Sequence, residues 1–175
     1  PIIQAGLKPV FVDVDINTFC IDYSSLIKKV SKKTKVIILV NVLGNSPEIK
    51  KIRSFANKNK IYLIEDNCES LGSRYGNKFL GTFGTFSTQS FHETKNITCG
   101  EGGSLVINDA KYIKRAEIIF DKGTNRRDFL KKKVNKYSWV DIGSSYRLSD
   151  LLAAFLFGQL ENSEKIQKKR KKIWK

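Results

Sequence analysis

Two short apolar runs constrain this chain most. Val36-Ile37-Ile38-Leu39-Val40 follows Lys35 with no polar residue inside it, and Ile61-Tyr62-Leu63-Ile64 comes next, leading into Glu65-Asp66. A continuous apolar run of this length is the kind of strand that parallel sheets bury on both faces. A helical pattern lies before each run. Asp22 is placed to cap a helix over 23–30 with Leu26, Ile27 and Val30 on one side. Pro47 suits a first helical position, and 48–59 continues with Ile49, Ile52 and Phe55 on one face. An earlier β-branched stretch, Pro9–Val14, reads as a further strand, and Ile2–Ala5 before Gly6 reads as a helix end. Strand, helix, strand, helix, strand predicts an α/β fold: a mostly parallel sheet with flanking helices.

Ligands of such sheets bind beyond the carboxyl ends of the strands. Asp66 stands at one of those ends. The pattern then changes: 75–78 and 81–84 read as turns, 86–91 and 104–107 as strands. Between these strands lies a loop bearing Lys95 and the glycine-rich Gly100-Glu101-Gly102-Gly103. Asn108 or Asp109 is placed to cap a helix with Tyr112, Ala116, Ile119 and Phe120 on its apolar side. Residues 122–145 are polar and irregular. From Ser149 or Asp150 a long helix is expected, apolar over 151–160 and basic over 161–175.

Composition closes off several function classes. No run reaches the length of about 18 apolar residues that a membrane-spanning helix needs. The start, Pro-Ile-Ile-Gln-Ala-Gly, is not a secretory leader, and the absence of Met suggests an interior piece of a longer protein. Cys20, Cys68 and Cys99 are odd in number and widely spaced, so they form no disulfide framework. A reducing, cytoplasmic setting is the simplest. A single histidine, His92, leaves no zinc ligand set, so no metal is expected. The net charge of +15 raises a nucleic-acid reading. The basic residues are nevertheless spread along the chain, and no reading motif accompanies them, so a solvated basic surface is the better account.

Asp66 and Lys95 together point to pyridoxal 5'-phosphate chemistry. A lysine amine forms a Schiff base with the cofactor aldehyde, and a carboxylate keeps the pyridine nitrogen protonated so that the ring acts as an electron sink. Each residue alone has a duller reading. Most acids at strand ends cap loops, and this chain has many lysines. Ser90, five residues before Lys95, is placed to reach a phosphate or is a plain strand serine. Glu69 either touches a ring from the turn after Asp66 or faces water. His92 is more simply structural, and Gly100–Gly103 has no phosphate-loop spacing.

The motifs extend almost end to end: Lys8–Val14, Ile64–Cys68, Gly81-Thr82-Phe83-Gly84, Ser90–Asn96 with Gly100–Gly103, Lys122–Arg126, Lys136–Tyr146 and Ser149-Asp150. In these the chain resembles the sugar-nucleotide aminotransferases of the DegT/DnrJ/EryC1/StrS family, fold-type I pyridoxal phosphate enzymes. Phe-His-Glu-Thr-Lys-Asn and Asp-Ile-Gly-Ser-Ser-Tyr look like the subgroup that makes dTDP-4-amino-4,6-dideoxygalactose.

The resemblance implies transfer of an amino group from L-glutamate to a 4-keto-6-deoxyhexose nucleotide, in glycan, O-antigen or enterobacterial common antigen synthesis. Lys95 would be the Schiff-base lysine, Asp66 the partner of the ring nitrogen, and Ser90 a phosphate ligand. Glu69 stands where many relatives have Gln. Ser145 stands where many have an Asn that reaches the partner subunit's phosphate in a homodimer. Asn41 replaces a frequent histidine. By the same resemblance, residues 1–148 are part of the large cofactor domain. Residues 149–175 are a helix leading to a small domain that this sequence lacks, and family members run to about twice this length. Three rivals remain: a sugar 3-dehydrase, which carries His in place of the lysine; a non-catalytic remnant or partner subunit; and a basic nucleic-acid module.

Overall fold

The computed structural model describes residues 1–174. These fall into two compact units, Pro1–Ser90 with Ser104–Asn108, and Phe91–Gly103 with the residues from Asp109 onward. In chain order the elements are α1 (Tyr23–Lys29), β1 (Val36–Val40), α2 (Ile49–Lys58), β2 (Tyr62–Asp66), β3 (Arg74–Tyr75), β4 (Lys78–Phe79), β5 (Phe86–Ser90), β6 (Gly103–Ile107), α3 (Ile113–Phe120), α4 (Arg126–Leu130), α5 (Asp150–Glu161) and α6 (Ser163–Trp174).

The main sheet has the order β1-β2-β5-β6. β1 runs parallel to β2 with Val40 opposite Asp66, and β2 runs parallel to β5 with Asp66 opposite Thr88. Between β5 and β6 the direction reverses: Asn108 N donates to Thr85 O at one end and Phe91 N to Gly102 O at the other. The fold is therefore α/β with a mostly parallel sheet. The β2-to-β5 connection carries no helix, only the small antiparallel hairpin β3-β4.

Alternation along the strands explains the core. Ile37, Leu39 and Leu63 point to one face and pack with Leu26 of α1 and with Ile49, Ile52 and Ala56 of α2. Each such leucine or isoleucine contributes on the order of 1.5–3 kcal/mol by leaving water. Both helices sit on this one face. Ile38 and Val40 point the other way and stay 42% and 41% exposed. The expectation that β1 is buried on both faces is corrected here, since among the described residues nothing covers its second face fully.

Other expectations shift in detail. Asp22 caps α1 through its carboxyl group, which accepts from Ser25 N at 2.6 Å. α2 begins two residues after Pro47, with Glu48 at its cap. Pro9–Val14 is extended chain rather than a sheet strand, because only Val14 finds a bridge, to Ile21. Residues 1–7 form hydrogen-bonded turns, including Gly6 N to Ile3 O, and Gly6 takes a positive φ of 70°. Within the polar stretch 122–145 a short helix, α4, forms. The long terminal helix is two helices. They part at Asn162, whose φ of −96° and ψ of 9° leave the helical region and whose side-chain amide donates to Gly158 O at 2.9 Å. The last residue of the expected helix, Lys175, lies outside the described residues.

Candidate active site

In the first unit, β2 and β5 end side by side. Pleating sends Ile64 and Asp66 to the face opposite the helices, and in β5 Thr88 and Ser90 share that face by register. Asp66 and Ser90 are then roughly 8 Å apart, one strand over and two residues along. Asp66 Oδ1 accepts from Cys68 N at 3.1 Å, which fixes the carboxyl group at the start of the following turn. Cys68 Sγ in turn lies 3.6 Å from Thr88 Oγ1. The peptide of Asp66 is held on both sides, since Asn41 N donates to Asp66 O and Asn67 N to Thr88 O, each at 3.0 Å.

Behind this edge lies a polar cluster that the sequence reading missed. Glu65 is fully buried. Its Oε1 accepts from Phe83 N and Gly84 N at 2.6 Å, and its Oε2 from Gly81 N at 2.7 Å and Asn41 Nδ2 at 3.3 Å. Asn41 also donates to Asn67 Oδ1 at 3.1 Å, and its carbonyl accepts from Ser70 Oγ. Gly84 permits the close approach of this turn, because a Cβ there would meet Leu63 O at 2.7 Å. The signal was available: in an alternating strand, Glu65 shares the inward face of Leu63, and a charge at such a position calls for donors nearby. Asn41 sits in this cluster, which gives the residue that replaces a frequent histidine a definite structural place.

Glu69 lies at the surface of the same unit. Its Oε2 accepts from Leu43 N at 3.0 Å and so supports the turn after β1, where Leu43 adopts a φ of 50°.

Lys95 and Ser145 belong to the second unit. Lys95 lies in the loop 91–103, half-buried, with its N–H donated to His92 O at 2.9 Å. The loop is pinned at both flanks. Phe91, Ile97 and Cys99 are buried against Leu148 and against Leu152 and Leu156 of α5 and Ile166 of α6. Gly102 lets the chain close over Cys99, whose Sγ would lie 2.7 Å from a Cβ there. Within the loop, His92 Nδ1 meets Thr94 Oγ1 at 3.0 Å, and its Nε2 lies 3.6 Å from the Glu101 carboxyl group. The helices that hold this lysine loop start only at Asp150 and Ser163, which no local pattern announces.

Ser145 is exposed, on a segment zipped to the end of α3 by the Asp121–Ser145 bridge. Lys122 N donates to Ser144 O at 3.0 Å, and Ser144 N to Ile119 O at 3.0 Å. Arg147 forks onto Asp121 at 2.7 and 3.0 Å, and this hydrogen bonding holds the buried Asp121 carboxyl below the usual carboxylate range.

The first-unit edge fits a ligand with a basic ring nitrogen at one end and a phosphate at the other: a fixed carboxyl group and a hydroxyl stand on one face at that spacing. Within this unit both α1 and α2 pack on the opposite face of the sheet.

The chain is 34% identical to GDP-perosamine synthase of Escherichia coli O157:H7, over 96% of its own length and 44% of that protein's. Among solved structures it is similar to PseC of Helicobacter pylori, an aminotransferase of pseudaminic acid biosynthesis, at TM-score 0.84 and 30% identity, covering 93% of this chain and 42% of that one. It is also similar to the E. coli GDP-4-keto-6-deoxy-D-mannose-3-dehydratase with bound hydrated pyridoxal phosphate, at TM-score 0.81 and 33% identity, covering 92% and 44%. The chain spans less than half the length of the curated relatives it matches. The profile that describes these enzymes matches residues 1–175, and the chain belongs to the DegT/DnrJ/EryC1/StrS aminotransferase family.

Proposed function

We propose that this chain carries the cofactor-binding portion of a pyridoxal 5'-phosphate-dependent aminotransferase that moves the amino group of L-glutamate to a 4-keto-6-deoxyhexose nucleotide. The observation that carries the reading is the pairing of Asp66 and Ser90 on one face of adjacent parallel strands, with Lys95 five residues further along the chain. Bound there, the cofactor supplies an electron sink for the carbon that bears the amino group. Lys95 provides the amine that anchors it and carries the proton between donor and ketone. Asp66 pairs with the ring nitrogen, and Ser90 donates its hydroxyl to the phosphate. Glu69 borders the ring from the turn after β2, and Ser145 reaches the phosphate of a second subunit in a homodimer.

Residues 1–148 form part of the large domain in this reading, and 149–175 lead toward a small one. The substrate is a dTDP-linked 4-keto-6-deoxyhexose and the product a sugar of the dTDP-4-amino-4,6-dideoxygalactose type, used in the cytoplasm for glycan or lipopolysaccharide synthesis; GDP-linked sugars are the alternative that the names of the relatives favour. A second reading, sugar 3-dehydration, has its support in the similarity to the dehydratase. Lys95 weighs against it, because a primary amine joins the cofactor aldehyde as transamination needs.

The test is borohydride trapping. The chain is incubated with pyridoxal phosphate, reduced, digested and mapped by mass spectrometry. A single label on Lys95 is expected. Labels scattered over surface lysines would overturn the reading and favour a non-catalytic remnant.

A further inference from the structure

Glu65 takes no part in the chemistry proposed above, yet it is completely buried beside Asp66. Burying a carboxyl group costs several kcal/mol unless hydrogen bonds replace its water. Here both oxygens act only as acceptors, and the donors are particular. Three of the four are consecutive-turn N–H groups, those of Gly81, Phe83 and Gly84. One side chain of β2 thus clips the turn that leads directly into β5. Thr85 N completes the clip by donating to Leu63 O at 2.7 Å. The fourth donor, Asn41 Nδ2, belongs to the residue whose own N–H holds Asp66 O.

The consequence is geometric. Asp66 lies at the end of β2 and Ser90 at the end of β5. Whatever fixes the register of these two strands fixes the spacing of that carboxyl group and that hydroxyl. An apolar residue would fill the same inward position, as Leu63 does two residues earlier, but it would leave three N–H groups unpaired.

We infer that Glu65 is a positioning residue: by clipping the Gly81–Gly84 turn to β2 it sets the spacing between Asp66 and Ser90, and so the affinity for a ligand that must engage both. The inference rests on the pyridoxal phosphate reading of that edge.

Its test compares pyridoxal phosphate with pyridoxal, which lacks the phosphate. Binding of each is titrated by absorbance to the wild-type chain and to Glu65→Gln. Glutamine turns one acceptor into an NH2 group that faces N–H donors, so part of the clip opens. The expected result is a loss of about 10-fold in affinity for pyridoxal phosphate, with pyridoxal within about 2-fold of wild type, because misplacement penalises only the ligand held at two points. Equal losses for both ligands would mean a merely structural role and would overturn the inference, as would no change in either. If circular dichroism shows Glu65→Gln unfolded, Glu65→Asp decides by the same two titrations, since it keeps the carboxyl group but draws it back by one methylene from the three N–H groups of the turn. A wild-type chain that binds neither ligand sinks the pyridoxal phosphate reading itself. Wild-type binding without a differential effect sinks this inference alone.

Discussion

The two units reach order by opposite means. In the first, apolar side chains of α1, α2, β1 and β2 close a continuous core, and the polar groups beside it are buried and bonded to backbone. In the second, the buried cluster is small, namely Phe91, Ile97 and Cys99 with their neighbours. Its ion pairs lie nearer the surface, with Arg115 on Asp141, Arg127 on Glu117 and Lys114 on Asp128, and among its described residues only Asp121, held by Arg147, is a buried acid. Close backbone approach supplies the rest. A Cβ on Gly123 would stand 1.9 Å from Asp141 O, and one on Gly143 2.2 Å from Gly123 N. The lesson is that a fixed carboxyl group on a strand and a lysine on a loop need different supports. Strand ends are stiffened from behind by a core, and loops by small residues and charges.

Four substitutions would break or sharpen this contrast. The largest effect is expected from Gly123→Ala, which adds a clash with backbone to a φ of +75°. It is expected to cost about 4 kcal/mol. Hydrogen exchange would show lost protection over 138–146 while β1 and β2 keep theirs. Next is Ile52→Ala in the first core, where Ile52 is fully buried. A cavity of that kind costs about 3 kcal/mol, and the lost protection should map to β1 and β2. Uniform loss in either variant would mean that the two regions melt as one, and the contrast fails.

A smaller effect is expected from Arg147→Gln, read as a fall in melting temperature. Asp121 has its folded pKa lowered by Arg147, so this contribution is present above the unfolded carboxyl value near pH 4 and fades as pH falls through the lower folded value. The gap between wild type and variant should be full at pH 7 and narrow below about pH 4. A gap that does not depend on pH would show that the guanidinium acts by packing alone. Smallest, and opposite in sign, is Gly158→Ala. Nothing lies within 4 Å of a Cβ there, inside α5. The helix should gain about 0.5–1 kcal/mol, measured by denaturant midpoint.

How far the sequence discloses this molecule follows the range of the interactions. Asp22 and the Ile49–Ile52 stripe are local, and α1 and α2 are legible from them. Pro9–Val14 has the composition of a strand, but strand formation needs a partner, and only Val14 bridges. Asn162 interrupts a helix through its own side chain, a competition that helix patterning does not register. The strand-end placement of Asp66 is legible from the apolar run that precedes it, and that of Ser90 from the strand expected over 86–91. For Glu65 only the inward position is legible, by alternation with Leu63; its donors arrive from a turn sixteen to nineteen residues later. The setting of Lys95 is hidden for the same reason, as its loop rests on α5 and α6.

Gly84 carries a last implication, for descent rather than for folding. Any side chain at that position would meet the carbonyl of Leu63, and the N–H it keeps in place is one of those that saturate Glu65. Neither residue drifts alone: losing the glycine strands the acid, and losing the acid strands the turn. Lineages that share this architecture are expected to inherit Glu65, Gly81 and Gly84 as one block, and to change them together or not at all.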